Sequence, residues 1–222
     1  MTANTSTTTV NSPTLTANNA LIHRVMKRAM DLMGSLVGLT LLLLPLTLVA
    51  LAIKLDSRGP VFFRQKRAGR NGEEFNILKF RTMVPNADRL GLRFEVSQGD
   101  NRITRLGGLL RDLGIDELPQ LYNVFRGQMS LVGPRAARMD QIVNFTEAEQ
   151  GRMLVKPGLS GWAQVNGRNS ITWKERIQLD LWYVAHESIW LDVKIMFKTL
   201  WVVYIARSGR YGPGGVTRDY GA

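Results

Sequence analysis

The chain has 222 residues, 45% of them hydrophobic, and its 29 Lys and Arg against 18 Asp and Glu give a formal charge of +11. That length holds one domain with its own core plus a membrane element and a tail, and the charge favours polyanionic partners: nucleic acid, anionic lipid or phosphorylated substrates. With no cysteine and two histidines, His23 and His186, disulfides, thiolate zinc and a cysteine nucleophile are excluded, and little is left for a histidine metal site or a serine triad.

Residues 1–21 are rich in Thr, Ser and Asn, carry no charge and show no apolar period, which predicts a disordered tail. A basic arm follows with His23, Arg24, Lys27 and Arg28, closed by Asp31, and then Leu32 to Ile53 runs without a charged residue. The run is long enough to be a membrane segment and too long for a signal peptide, although Ala50-Leu51-Ala52 imitates a cleavage site. Lys54, Arg58, Arg64, Lys66 and Arg67 follow it, so both flanks carry the mark of the cytoplasmic side. Pro45 lies inside the run, where it removes a backbone donor. A helix-break-helix over residues 22–55, entering and leaving by the same face, satisfies both observations; a straight span accounts for the length alone. Thr40 and Thr47 are the hydroxyls near enough to serve the backbone freed at Pro45.

Residues 56–222 form the expected catalytic domain. Val61 to Gln65 and Glu74 to Arg81 read as strands joined at Arg70-Asn71-Gly72, a hairpin signal. Asn101 to Asp112 is predicted helical and Gly114 ends it; Asp116 is then placed as the N-cap of a next helix, with Pro119 in its first turn. Another helix is expected near Met139 to Leu154, then a loop from Lys156 to Arg168 with four glycines and prolines. The last third, Trp173 to Arg207, holds two aromatic-rich helices. In the second, Lys194 and Lys198 lie one turn apart, as on a core helix or one resting at the headgroups; the basic surface favours the latter. The fold class is mainly α with a small β-hairpin.

Asp116 and Glu117 stand out as adjacent carboxylates in a cationic chain. A helix start accounts for them on its own. Arg102, Arg105 and Arg111 precede them, however, so the turn could bring guanidinium groups and a helix N-terminus to one anion. A carboxylate kept ionised there can attack phosphorus once cations or a metal neutralise the phosphate. Lys79 and Arg81, two apart in a strand, leave the same face and could hold one phosphate, or else form a solvated basic face. Arg135 projects from the Gly133-Pro134 turn as an anion ligand or an ordinary surface arginine. In the glycine-rich loop Trp162 offers stacking, or a plug for the core, while Gln164, Asn166 and Arg168 offer polar contacts. With hard oxygen ligands and no cysteine, Mg²⁺ is the expected metal.

Gln65-Lys66-Arg67-Ala68-Gly69, Lys79-Phe80-Arg81-Thr82-Met83, Asp116-Glu117-Leu118-Pro119-Gln120-Leu121, Ser130-Leu131-Val132-Gly133-Pro134-Arg135 and the Lys156 to Arg168 loop together resemble the bacterial sugar transferases, the monotopic polyprenyl-phosphate phosphoglycosyl transferases in their short form. The resemblance runs from about Arg24 to the C-terminal region. It implies a ping-pong reaction in which Asp116 attacks the sugar-linked phosphate of a UDP-sugar, expels UMP and holds a phosphosugar that a polyprenyl phosphate, undecaprenyl phosphate, then takes. It implies Mg²⁺ near Asp116, and Lys79, Arg111 and Arg135 on the phosphate charge, with Glu117 completing the acidic dyad. It also implies a re-entrant helix, interfacial amphipathic helices and a place on the cytoplasmic face of the bacterial inner membrane. Membrane lipid is then a partner, nucleic acid is not, and a homodimer is a further possibility. The pathway implied is exopolysaccharide or glycoconjugate initiation. Leu44-Pro45 and Pro134-Arg135-Ala136 depart from the family's usual Ser-Pro and Pro-Arg-Pro. The rival reading is a non-enzymatic basic membrane module binding anionic lipid or nucleic acid; a membrane phosphatase or nucleotidyl transferase is a second enzyme alternative.

Overall fold

The computed structural model describes residues 17–87, 96–97, 100–167, 170–206 and 216–217. Its first element, α1 (Ala17–Asp56), starts inside the stretch expected to be a tail, whose residues 1–16 lie outside the described residues. Pro45 sits within α1 without ending it, so the expected helix-break-helix is corrected to one continuous helix. A proline removes a single N–H, and the turns on either side retain theirs. Thr40 and Thr47 donate to the carbonyls of Leu36 and Leu43, one turn back. Neither serves Leu41, the carbonyl that would face Pro45 in the helical ladder.

One stripe of α1 packs on the rest of the protein. Lys27, Asp31 and Ser35 are buried near its start, and Leu46, Val49, Ala50 and Ile53 pack with Phe80 and Leu110 near its end. On the opposite face Leu36, Leu41, Leu44, Leu48, Leu51 and Leu55 are 54 to 80% exposed. The basic arm is largely spent on docking. Lys27 Nζ donates to Asp192 Oδ2 at 2.5 Å, to the Val132 carbonyl at 3.1 Å and to Tyr183 Oη at 3.2 Å. Tyr183 Oη donates to the other Asp192 oxygen at 2.6 Å. Arg28 donates to the carbonyls of Val124 and Phe125, both at 2.8 Å, satisfying a helix C-terminus.

The hairpin forms as expected. β1 (Phe62–Ala68) pairs antiparallel with β2 (Glu74–Phe80), Phe62 opposite Phe80, and Asn71 turns the chain with φ 55°, a left-handed conformation that Asn tolerates. After β3 (Val96–Ser97), α2 (Arg105–Leu113) begins four residues later than Asn101. Arg102 there holds the Asp100 side chain through its amide and guanidinium, and Thr104 caps the helix by accepting from Gly107 N. Gly114 ends α2 with φ 69°, where a Cβ would be strained.

The chain then makes a single 3₁₀ turn, Ile115–Glu117, before α3 (Gln120–Phe125). The expectation that Asp116 caps a helix is corrected: Gly114 and Pro119 hold the cap positions, and neither makes a side-chain cap bond. β4 (Ser130–Val132) pairs in parallel with β5 (Gly158–Ser160). Between them the single helix expected over Met139 to Leu154 is two short ones, α4 (Met139–Ile142) and α5 (Glu147–Gln150), because Thr146 and Glu149 form a capping box that starts a new helix. α6 (Trp162–Val165), α7 (Trp173–His186) and α8 (Ile189–Leu200) follow, and a π-helical turn continues α8 to Ala206. β6 (Val216–Thr217) returns to pair with β3. The helix α8 is two-sided: Asp192 and Ile195 are buried, while Trp190, Phe197, Leu200 and Trp201 are exposed. One face is thus that of a core helix, and the other is apolar and exposed.

Candidate active site

Glu117 stands at the end of the 3₁₀ turn between two cations brought from distant segments. Lys79 Nζ, from the last residues of β2, donates to Glu117 Oε1 at 2.6 Å. Arg135 Nη2, from the turn after β4, donates to the same oxygen at 2.8 Å. Two supports place these groups. Asn123 of α3 accepts from Leu78 N at 3.0 Å and donates to the Asn76 carbonyl at 2.8 Å, tying β2 to the helix that follows the dyad. Gly158 N donates to the Pro134 carbonyl, and the backbones meet so closely that a Cβ on Gly158 would stand 2.0 Å from Gly133 N. The turn presenting Arg135 is thereby pinned. From beneath, Arg152 donates to the Arg135 carbonyl at 3.0 Å and pairs with Asp180, both 2% exposed.

The two carboxylates differ in environment. Burial would raise the Glu117 carboxyl, but the charges and hydrogen bonds of Arg135 and Lys79 outweigh it and hold it well below the usual range. Asp116 is 9% exposed. Burial first, then the neighbouring Glu117 charge, push its carboxyl up to about 6, against the pull of Lys79, Arg111 and Arg135. The first carboxylate is neutralised in place, while the second makes no side-chain hydrogen bond or ion pair among the described residues. Burial also lowers the Lys79 ammonium, partly offset by Glu117.

Of the residues singled out from sequence, Asp116, Glu117, Lys79 and Arg135 meet here. Arg111 lies close enough to act on Asp116 by charge, while its Nε donates to Thr82 Oγ1 at 2.9 Å. Arg81 goes elsewhere. Its guanidinium donates to the carbonyls of Arg58 and Ser57 and to Ser57 Oγ, at 2.7 to 2.9 Å, so it closes the end of α1, whereas Lys79 reaches Glu117. Gln164 Nε2, on α6, donates to the Leu159 carbonyl of β5 at 3.1 Å, so the segment expected as a loop holds a short strand and a helical turn. Arg168 lies outside the described residues. Trp162 stacks on Trp182 with centroids 5.0 Å apart, and Lys198 Nζ stands 5.4 Å over it, so it plugs the C-terminal core.

The family model described as bacterial sugar transferase matches residues 22–206. The chain belongs to that family. Among similar proteins, the uncharacterized sugar transferase EpsL of Bacillus subtilis (strain 168) is 42% identical over 184 residues, covering 82% of this chain and 89% of that one. The undecaprenyl-phosphate glucose phosphotransferase of Komagataeibacter xylinus is 48% identical over 185 residues, 78% of this chain but 35% of that one. The UDP-glucose:undecaprenyl-phosphate glucose-1-phosphate transferase of Escherichia coli (strain K12) is 38% identical over 196 residues, 84% of this chain and 42% of that one. The chain thus spans less than half the length of the latter two.

In this bacterial sugar transferase the match covers α1 from Ile22, the whole dyad cluster and the π-helical turn. Sequence reasoning missed the supports: Asn123, the buried Arg152–Asp180 pair and Lys27 with Asp192. A weak signal existed for the last, since Asp192 is the only acidic residue in α8. Among the described residues no three His, Asp or Glu side chains gather as a metal cage. The donor set still suits Mg²⁺, which binds through one or two carboxylates with water and substrate phosphate completing its octahedron. Asp116, buried and without a cation in contact, is the carboxylate free to serve.

Proposed function

We propose that this protein transfers a sugar 1-phosphate from a UDP-sugar to a polyprenyl phosphate, undecaprenyl phosphate, in two displacements on Asp116. The observation that carries this reading is the split dyad: an unpartnered, desolvated carboxylate beside a second one already neutralised by Lys79 and Arg135. An Asp116 oxygen attacks the sugar-linked phosphorus, and the bond to the bridging oxygen breaks, which leaves with UMP. A phosphate oxygen of the polyprenyl phosphate then attacks the same phosphorus, the bond to Asp116 breaks, and the carboxylate is restored as the polyprenyl diphosphate sugar departs. Desolvation strips Asp116 of the water that would blunt its attack. Lys79 and Arg135, held side by side by Glu117, and Arg111 nearby present fixed positive charge where phosphate charge shifts in the transition state. Mg²⁺, held by Asp116 and the donor's phosphates, would neutralise the diphosphate and ease departure of UMP. The names of the relatives support the substrates.

The membrane placement belongs to the same reading. The helix Leu21–Asp56 is long and apolar enough to cross a membrane. Lys27 and Arg28 near one end and Ile53 near the other are fastened to the same domain, which favours both ends on one side, with the leucine face in lipid. The exposed aromatic face of α8 would rest at the headgroups. The place proposed is the cytoplasmic face of the inner membrane, in exopolysaccharide or glycoconjugate initiation.

Purified protein is expected to release UMP from at least one UDP-sugar with Mg²⁺, to trap labelled sugar phosphate on Asp116 and to lose both in Asp116→Asn. UMP release surviving that substitution would remove the nucleophile assignment, and no release with any UDP-sugar would favour a basic lipid-binding module. Cysteines introduced at Asn19 and Asp56 should label from the same side of the membrane; opposite accessibility would sink the topology.

A further inference from the structure

Two buried amides stand one turn apart on α3 with opposite circumstances. Asn123 is 3% exposed and fully engaged, accepting from Leu78 N and donating to the Asn76 carbonyl and to Gln128 Oε1. Gln120 is 2% exposed, and its Nε2 has no hydrogen-bond partner. A buried polar group without a partner is costly, and folded proteins retain few of them. Asn123 explains itself as a stitch between α3 and β2; Gln120 stitches nothing.

Its surroundings supply the reason. Gln120 lines a narrow space, partly open to solvent, together with Arg67, Lys79 and Arg135, and Ile77 and Met129 close part of it. Three cations and an amide border the same space, and no carboxylate does. Such a lining suits an oxygen carrying negative charge. Two of the cations are those that clamp Glu117, so the space adjoins the dyad. We infer that Gln120 is a substrate-binding residue whose amide donates to a phosphate oxygen that reaches into this space from the adjoining dyad. The inference rests on the proposed transferase reaction, and the phosphate oxygen comes either from the UDP-sugar donor or from the lipid acceptor.

The test separates a binding role from a packing one. Gln120→Leu keeps the bulk and removes the amide. UMP release is followed with a panel of UDP-glucose, UDP-galactose and UDP-N-acetylglucosamine, and product formation with undecaprenyl phosphate varied at saturating donor. Because Gln120 makes no bond within the protein through Nε2, the Tm of Gln120→Leu should stay at or above the parent's, while Asn123→Leu, which strands three partners, should lower it. In Gln120→Leu, kcat/KM for UMP release should fall roughly ten- to a hundredfold, the worth of one hydrogen bond to a charged group. Gln120→Glu, which adds a negative charge beside the phosphate, should fall further. UMP release unchanged with KM for undecaprenyl phosphate raised by the same factor would assign the oxygen to the acceptor. Both half-reactions within twofold of the parent, or a drop in Tm matching that of Asn123→Leu, would overturn the inference while leaving the transferase reading intact. A parent protein releasing no UMP would overturn both.

Discussion

Asp116→Asn should abolish turnover and stabilise the fold, and the second effect follows from the same burial as the first. The Asp116 carboxyl is raised from 3.8 to about 6 in the folded protein. Between those values the folded chain holds a proton that the unfolded chain has released, so stability falls as pH rises through this window. Above about pH 6 the folded state carries an ionised group it disfavours by about 3 kcal/mol, at 1.36 kcal/mol per pH unit. Asn has no such group. Without divalent cations at pH 8, the Tm of Asp116→Asn in detergent should exceed the parent's by roughly 6–12 °C for a chain of this size, and the gain should shrink as pH falls from about 6 to 4 and vanish only below the unfolded value of 3.8, where both states hold the proton. The same carboxyl must be ionised to attack, so kcat/KM for UMP release should be roughly tenfold lower at pH 5 than on its plateau above pH 7. Glu117→Gln removes the like charge that helps raise Asp116 and leaves Lys79 and Arg135 acting on it alone, which moves this acid limb to lower pH. A Tm difference that does not grow between pH 4 and 8, or an acid limb that Glu117→Gln moves upward, would refute the reasoning.

Lys27→Met strands the buried Asp192, which by the cost of breaking a buried ion pair should destabilise by about 3–5 kcal/mol; Asp192→Leu in the same chain should recover much of it. Were Lys27 a lipid contact, liposome binding would weaken with Tm unchanged. Arg81→Ala should destabilise the fold by about 1–3 kcal/mol through the lost closure of α1, read as a lower Tm, and leave KM for the UDP-sugar within about threefold, whereas Lys79→Ala should raise KM or lower kcat at least tenfold. A KM effect in Arg81→Ala as large as that in Lys79→Ala would return Arg81 to the phosphate.

What the sequence determined by itself is local. The hairpin needed only two extended segments and Asn71-Gly72 between them, and Asn71 does take the left-handed turn. Gly114 had to end α2 because few other residues tolerate φ 69°, and the uncharged run had to be long whichever way it lies. That the dyad follows closely on the end of α2 was legible for the same reason, though its place inside a 3₁₀ turn rather than at a helix cap was not; membership of the family was legible through its ordered motifs. Tertiary structure decided how these groups are used. Glu117 meets Lys79 from 38 residues away and Arg135 from 18, and only that meeting makes one carboxylate a clamp and its neighbour the free group. Lys79 and Arg81 leave the same strand side, yet one reaches the dyad and the other the end of α1, because the end of α1 lies against the hairpin. Lys27 reads from sequence as a membrane flank, and its partner Asp192 lies 165 residues on. Capping, turn and period rules act over a few residues, whereas charge pairing and burial depend on what folding brings within a few ångströms.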